Sequence, residues 1–493
     1  MKRPFVYIFF SLLSGIMIAY FSNFRLKTPI AIYMLIAIVA MLLAMKKHEK
    51  FFIIALFIIL GGMLYNFSVN EESITSYVNL NNPIEVLIIN DGIQKGSFKT
   101  YMEYETIVKI TNERSLIRVY NSSSSLFEVG DIIRLYKYKV NPIDSSNEVI
   151  GSFYNIYKSR GIKNIIDVNM DNIYRVGAKT FGFRYFGNSL RRYVEYYFDQ
   201  SFSNREGSLL KSIIFGNRGY MPPEMIAHFS KSGTAHIIAV SGLHIGLLIV
   251  FLDRILKLIK IRKTYIKIIT VFILLLYSYA VNFPVSIVRA SLMYYLYIAA
   301  FFLERKYDAI NTMMLIAVIL LILNPHIIFS VSFQLSFCAT FGILVLYPLI
   351  YSRLEGFVHK SICGLLAVTL SAQIATLPIL VFHFNYLSII SIVANLLIVP
   401  VIGALISITL ISIILSLLPI NIAIFLNFLI NLLLKYILKI AEISSESLFS
   451  GITIEFIQLY HVIIYYVVIV LIYMLVKSRK QFGIYTWRIN NEL

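Results

Sequence analysis

A chain of 493 residues that is 58% hydrophobic and 14% charged, with a mean hydropathy of +0.76, falls outside the range of ordinary soluble domains, in which roughly 25% of residues are charged. Its formal charge of +18 is unevenly placed: residues 70–180 hold 13 basic and 13 acidic side chains, which leaves 31 basic against 13 acidic for the rest. The two cysteines, Cys338 and Cys363, lie in apolar runs without CxxC spacing and read as packing residues, not as metal ligands.

Met1, Lys2 and Arg3 precede an apolar run from Pro4 to Phe21. Bulky residues fill Ile18 to Ser22, where signal cleavage needs small ones, so the run reads as a retained span. Thr28 to Met45 and Phe51 to Phe67 are further runs of about the 20 residues a bilayer needs. The basic hairpin Lys46 to Lys50 and the basic amino terminus place that side in the cytoplasm, with Arg25 and Lys27 running against the assignment. Residues 1–69 are therefore three spans, and residues 70–180 lie outside the membrane.

The outer segment reads as short strands at Ile84 to Ile89, Thr100 to Ile110, Leu116 to Tyr120 and Ile132 to Val140, separated by Asp91-Gly92, Gly130-Asp131 and Asn141-Pro142. That count and spacing predict a small all-β domain, an OB-like barrel. Within it Arg134, Tyr136, Lys137, Tyr138 and Lys139 alternate cations with aromatics, the chemistry for gripping a phosphate backbone while stacking bases; a solvated strand face gives the same pattern. Residues 181–233 follow as interfacial helices. Phe183 to Gln200 is amphipathic and too polar to span, Ser203 to Glu206 forms a capping box, Gly216 ends that helix, Pro222-Pro223 opens another and Gly233 closes it.

Residues 234–480 hold nine more predicted spans, near 234–252, 265–281, 285–303, 309–323, 327–350, 362–382, 387–417, 422–440 and 462–476. Alternating sides puts the basic loops at 253–263, 304–306 and 352–360 and the tail from Lys477 on the cytoplasmic side, leaving 481–493 as a cytoplasmic tail. The run 422–440 carries Asn427, Asn431, Lys435 and Lys439 on one helical face, so it either spans along a polar path or lies in the interface. The fold class is thus a polytopic α-helical membrane protein with a small extracytoplasmic all-β domain.

The polar breaks in these spans are the candidates for chemistry. Ser241 and His244, at i and i+3, are spaced to meet as nucleophile and base of an intramembrane hydrolase, although no carboxylate lies near them in sequence. His236 and His244 are eight apart, and no HExxH or HxHxDH occurs, so no metal site is expected. Two other readings stay open for this stretch. Gly242 and Gly246 permit close helix contact with Ser and His bonding across it, or a broken helix exposes backbone groups to a water-filled passage. Arg289 stands five residues after Pro284, ~7.5 Å into a helix, either snorkelling or as a fixed positive charge. Gln334, Gln373 and Asn395 interrupt apolar runs, the last two near Pro378 and Pro400; each alone suits an interhelical hydrogen bond, and together they imply a polar interior. No GxxxxGK[ST] is present, and no cofactor is expected.

At these residues the chain resembles the ComEC family of competence proteins. The resemblance is carried by LLKSIIFGNR at 209–218, HIIAVSGLH at 236–244, VRA at 288–290, NPHIIFSVSFQLSF at 324–337, SAQIATLP at 371–378 and SIVAN at 391–395 through Pro400. It implies a multi-pass channel of the bacterial cytoplasmic membrane that passes one strand of incoming DNA during natural transformation. A surface DNA receptor, a separate nuclease and a cytoplasmic ATPase are implied as partners, with homo-oligomerisation open. Arg218, His236, Ser241, Gly242, His244, Arg289, Gln334, Gln373 and Asn395 are then the candidates for lining or shaping the DNA path. Two departures stand out. Asn217 replaces the family's usual Asp, and the metallo-β-lactamase-like domain of many members is not seen before Leu493, so no nuclease activity is expected of this polypeptide. The alternatives are the Ser241/His244 hydrolase and a transporter of another anionic solute.

Overall fold

A computed structural model of the chain describes residues 3–22, 49–70, 82–90, 92–95, 100–121, 127–143, 154–178, 182–357, 359–417, 422–447, 450–455 and 457–491. The predicted span at 28–45 and the basic hairpin at 46–48 lie outside these residues. The chain divides into two compact units. The first comprises Met1–Pro222, His236–Ser336 and Val401–Lys435, and the second Pro223–Ala235, Phe337–Pro400 and Tyr436–Leu493.

Period-two burial builds the β-domain, which belongs to the first unit. Its strands are β1 (Ile84–Ile88), β2 (Ile93–Lys95), β3 (Tyr101–Val108), β4 (Glu113–Tyr120), β5 (Asp131–Leu135), β6 (Lys139–Pro142), β7 (Ile162–Asn169) and β8 (Ile173–Ala178), in the order β6-β7-β4-β3-β1-β5-β8 with β2 on β3. Alternate residues of β1 and β5, including Val86 and Ile133, enter one core with Tyr104, Ile117, Ile166 and Ile173, so the sheet bends around a single interior. It does not close. Among the described residues β6 and β8 remain its edges, and β4 pairs with β7 in parallel, so the expected OB-like barrel is corrected to an open mixed sheet.

The cause is legible in one segment. Ile133 and Leu135 point inward, so an unbroken strand through Val140 would bury Lys137 and expose Tyr138. The chain instead turns at Lys137, with φ 44°, and the parity flips: Lys137 stays exposed, and Tyr138 enters the core and donates its hydroxyl to the Asn82 carbonyl at 2.9 Å. The predicted strand 132–140 thus becomes β5 and β6. On the opposite face helix α3 (Tyr154–Ser159) covers a smaller cluster of Leu116, Ile143, Ile162 and Ile165.

The remaining helices of the first unit are α1 (Pro4–Ser22), α2 (Glu49–Asn70), α4 (Phe183–Ser201), α5 (Asn204–Phe215), α8 (Gly242–Leu258), α9 (Lys263–Ala280), α10 (Val285–Phe302) and α11 (Ala309–Leu323). One end of this bundle carries Arg3 paired with Asp308 at 2.9 Å, the α8–α9 turn and the α10–α11 turn. The β-domain meets the opposite ends of α9 and α11: Asn282 donates to Asn90 at 2.6 Å, and Asn324 donates to the carbonyls of Lys158 and Ser159. There His326, buried in the 3-10 turn Pro325–Phe329, packs edge-on against Tyr154 at 5.7 Å and meets Ser68 Oγ at 3.1 Å. The amino terminus and the loops near 253–263 and 304–306 therefore share one end, and the β-domain sits at the other.

Seven helices among the described residues cross between units or lie in the second, beginning with α6 (Pro223–Lys231), α7 (Ala235–Ile238) and α12 (Val331–Leu354). They are followed by α13 (Lys360–Phe384), α14 (Ser391–Ser416), α15 (Ile422–Glu446) and α16 (Leu459–Asn491). In the second unit Pro378 cannot bond the Ile374 carbonyl four residues back. Tyr465 donates its hydroxyl to that carbonyl at 2.9 Å, and Tyr466 serves Ala375 at 2.8 Å, which pins α16 to α13.

Nine helices among the described residues are long and apolar enough to cross a membrane, Pro4–Phe21, Lys50–Val69, Lys263–Ala280, Val285–Phe302, Val331–Leu354, Lys360–Phe384, Ser391–Ser416, Ala423–Glu446 and Leu459–Val476. Each matches a predicted span. The predicted span 309–323 is the shorter apolar helix α11, and 234–252 is not one helix. The capping box predicted at Ser203 is also corrected: Ser203 does precede α5, but its hydroxyl donates to the Glu206 carboxylate and not to the backbone.

Candidate functional site

The stretch from Ala235 to Leu258 folds as the one-turn helix α7, an opening at 239–241, and α8. Ser241 is the reason α8 starts where it does. Its Oγ accepts from Leu243 N at 3.3 Å, and His244 Nδ1 accepts from Ser241 N at 3.2 Å, a reciprocal cap with histidine in the place usually held by glutamate. The i, i+3 spacing is therefore a helix start. Nδ1 is already engaged by a backbone N–H, and the hydroxyl, 3.2 Å from it, is committed to the same cap. His244 Nε2 is buried without a well-formed hydrogen bond, and the main chain of Ile213 is the group placed to receive one.

This arrangement makes Ser241 a helix cap. Ser241→Ala is expected to lower stability by about 1 kcal/mol, the usual worth of such a cap. Thermal unfolding checks it; a variant as stable as the wild type would mean that the hydroxyl does not hold the start of α8.

The opening is held by side chains from two directions. Ser286 donates to the freed Val240 carbonyl at 2.7 Å. Arg289, one turn further along α10 and 6% exposed, lies so close over Gly242 that a β-carbon there would stand 3.0 Å from Nη2, and its Nε donates to Ser336 at 2.8 Å. Arg289 does not snorkel: its guanidinium is buried against an interrupted helix. From the other side Gly216, with φ +72°, ends α5 against Val240, and Tyr277 donates to the Ile214 carbonyl at 2.8 Å. The two motif stretches 209–218 and 236–244 are thus packed together.

The other predicted residues take distinct places. Arg218 is exposed at the head of the 3-10 turn Arg218–Tyr220, and His236 is exposed on α7. Gln334 donates to the Ile328 carbonyl at 2.9 Å, closing the turn ahead of α12. Asn217 accepts from Gly219 N at 2.9 Å, a bond that a carboxylate in its place would also accept. In the second unit Gln373 donates to Ser391 Oγ at 2.8 Å, and Gly233 packs on Ser388 and Ser391. Gln373 Oε1 and Asn395 Oδ1 are buried with no hydrogen-bond partner among the described residues, so this unit too has polar groups facing its apolar helices. Asn427, on α15 in the first unit, accepts from Ser412 at 2.7 Å and from Tyr197 at 3.0 Å.

In the β-domain Arg134 and Lys109 both bind Glu85, at 2.7 and 3.1 Å, and hold its carboxyl below the usual range. Tyr138 is a core residue. Tyr136, edge-on to Tyr174 at 5.5 Å, stays exposed with Lys137 and Lys139. Sequence reasoning passed over Ser286, Ser336 and Tyr277. Ser286 is three residues before Arg289, hence on its helix face, and that spacing was the available signal.

A second cluster missed in the sequence braces the loop that carries Arg218. Arg191 of α4, buried, donates to Glu195 at 2.7 Å and to the Tyr220 hydroxyl, and Lys211 binds Asp199 at 2.6 Å beneath the Tyr220 ring. Phe183 to Gln200 showed only its amphipathic period; the charges that dock it are long-range partners that no local pattern reports.

Comparison with known proteins follows the same residues. The sequence model of the family described as Competence protein matches residues 213–479. ComE operon protein 3 of Bacillus subtilis is 32% identical over 218 residues, 44% of this chain and 27% of that protein. Recombination protein 2 of Haemophilus influenzae is 30% identical over 210 residues, 39% of this chain and 26% of that protein. An uncharacterized protein of Aquifex aeolicus is 28% identical over 195 residues, 39% of this chain and 44% of that protein. The matches thus span between about a quarter and under half of these curated relatives. No solved structure matches.

Proposed function

Because the chain belongs to the competence protein family, we propose that it takes part in DNA uptake as a membrane channel for a single strand. The observation that carries this proposal is Arg289: a buried guanidinium laid over Gly242 at the start of α8, where the helix is opened and the Val240 carbonyl is held by Ser286. A polyanion passing through an apolar bundle needs fixed positive charge and polar backbone where the spans would otherwise be sealed. Arg218, His236, Ser241, His244 and Gln334 are the path-shaping candidates of the first unit; within the second, Gln373 and Asn395 supply polar groups of the same kind. Tyr136, Lys137 and Lys139 offer the β-domain's contact to the strand, with Arg134 available when a phosphate displaces Glu85.

In this reading the β-domain faces outside, the end bearing Arg3 faces the cytoplasm, and the channel works with a surface receptor, a nuclease and a cytoplasmic ATPase. Purified protein in liposomes, given a fluorescent oligodeoxythymidine, is expected to carry it into a nuclease-protected lumen above the level of protein-free vesicles. Equal signals with and without protein, in vesicles shown to hold folded protein, would reject the channel. The hydrolase alternative has the 3.2 Å contact between Ser241 Oγ and His244 Nδ1, but both groups also serve the cap of α8.

A further inference from the structure

Cations in this protein fall into two populations. In the β-domain most are matched with acids, as are Lys109 and Arg134 with Glu85, Arg160 with Glu105, Lys163 with Glu113, and Arg175 with Asp131, while Lys137 and Lys139 stand exposed without an ion pair among the described residues. At the Arg3 end of the helical bundle they are not. Arg254, Lys260, Arg262 and Lys263 in and around the α8–α9 turn and Arg305 and Lys306 of the α10–α11 turn are all exposed, and none of their side chains makes a hydrogen bond or ion pair among the described residues. Of the acids nearby, Asp253 is taken by Lys257 and Asp308 by Arg3, which leaves Glu304 against six cations.

The two turns form one surface. Lys267 of α9 lies over the rings of Tyr297 and Phe301 of α10, and Tyr297 in turn meets Tyr307 edge-on at 5.6 Å. Large aliphatic side chains stand among the cations in the open: Leu258 is 76% exposed, Ile259 64% and Leu303 71%. A nucleic-acid strand has no use for exposed aliphatic groups beside its phosphates. A bilayer surface does, since the aliphatic chains enter the acyl boundary while the cations meet headgroup phosphates.

We propose that this end of the bundle is a binding surface for anionic phospholipid headgroups, with Arg254, Lys260, Arg262, Lys263, Arg305 and Lys306 as the phosphate-facing cations. Each cation near an anionic surface contributes about five-fold to retention. Removing four of them is then expected to weaken it by roughly several hundred-fold.

The test is native mass spectrometry of the full chain titrated with phosphatidylglycerol or phosphatidylcholine. The wild type is expected to retain phosphatidylglycerol preferentially, to lose that preference when sodium chloride replaces a low-salt buffer, and to lose it in R254Q/K260Q/R262Q/K263Q. A K109Q/K163Q variant, which alters only paired β-domain cations, is expected to keep it. A wild type without preference, or a quadruple variant that keeps it, overturns the proposal. So does a wild type whose bound phosphatidylglycerol is displaced by an equimolar oligodeoxythymidine, which would make the surface a nucleic-acid site. The salt arm reads the same surface on unaltered protein, so misfolding of the variant does not protect the idea.

Discussion

Arg289→Gln is expected to cut uptake of single-stranded DNA into proteoliposomes by between about ten-fold and a few hundred-fold, with the protein still folded. A unit charge about 4 Å from a phosphate, at an effective dielectric near 20, is worth up to about 4 kcal/mol, and mobile ions and water share part of that field. Glutamine keeps a polar group near Ser336, which Arg289 Nε contacts at 2.8 Å, so the packing loses little. Folding is not expected to suffer by more than about 1 kcal/mol, because removing a buried charge also removes its desolvation cost. Arg289→Lys keeps the charge and loses the planar fork that lies over Gly242, and should fall between the two. Wild-type uptake by Arg289→Gln at wild-type protein level would make Arg289 a packing residue and deprive the channel of its main support.

Gly216→Ala is expected to be the more damaging change to the fold, at roughly 2–4 kcal/mol. Two costs add. The residue sits at φ +72°, where a β-carbon costs about 1 kcal/mol. That β-carbon would also stand 2.4 Å from Val240 Cγ2 and 3.0 Å from Val240 N, an overpacking of about 1–3 kcal/mol. Val240→Ala in the same chain removes the first contact but not the second, so the double variant should recover about half the loss, measured as a thermal unfolding midpoint. A Gly216→Ala protein as stable as the wild type would mean that the 209–218 and 236–244 stretches are not clamped together.

Much of the architecture is legible in the residues alone. Hydrophobic runs of span length need no partner to announce themselves, so ten of the twelve predicted spans coincide with described helices, one of them, 309–323, as a shorter apolar helix, while 234–252 is broken at 239–241 and 28–45 lies outside the described residues. Helix punctuation is equally local: Ser203, Gly216, Pro223 and Gly233 stand where their chemistry places them. The β-domain was harder. Its first strands follow simple alternation, but the parity flip at Lys137 depends on which face is the core, and β7 pairs in parallel with a strand more than forty residues earlier. Neither is a local property.

The candidate site divides along the same line. Which residues are out of place in a membrane span is a matter of residue type, and Ser241, His244, Arg289, Gln334, Gln373 and Asn395 all declare themselves that way, as does the family. Their roles are not, because a role is a matter of partners. The Ser241–His244 spacing fits a nucleophile and base as well as it fits a cap, and only the folded chain shows the cap's bonds, from Ser241 N to His244 Nδ1 and from Leu243 N to Ser241 Oγ. Whether Arg289 snorkels or is buried depends on Gly242 and Ser336, 47 residues away in each direction, and folding alone brings those three together.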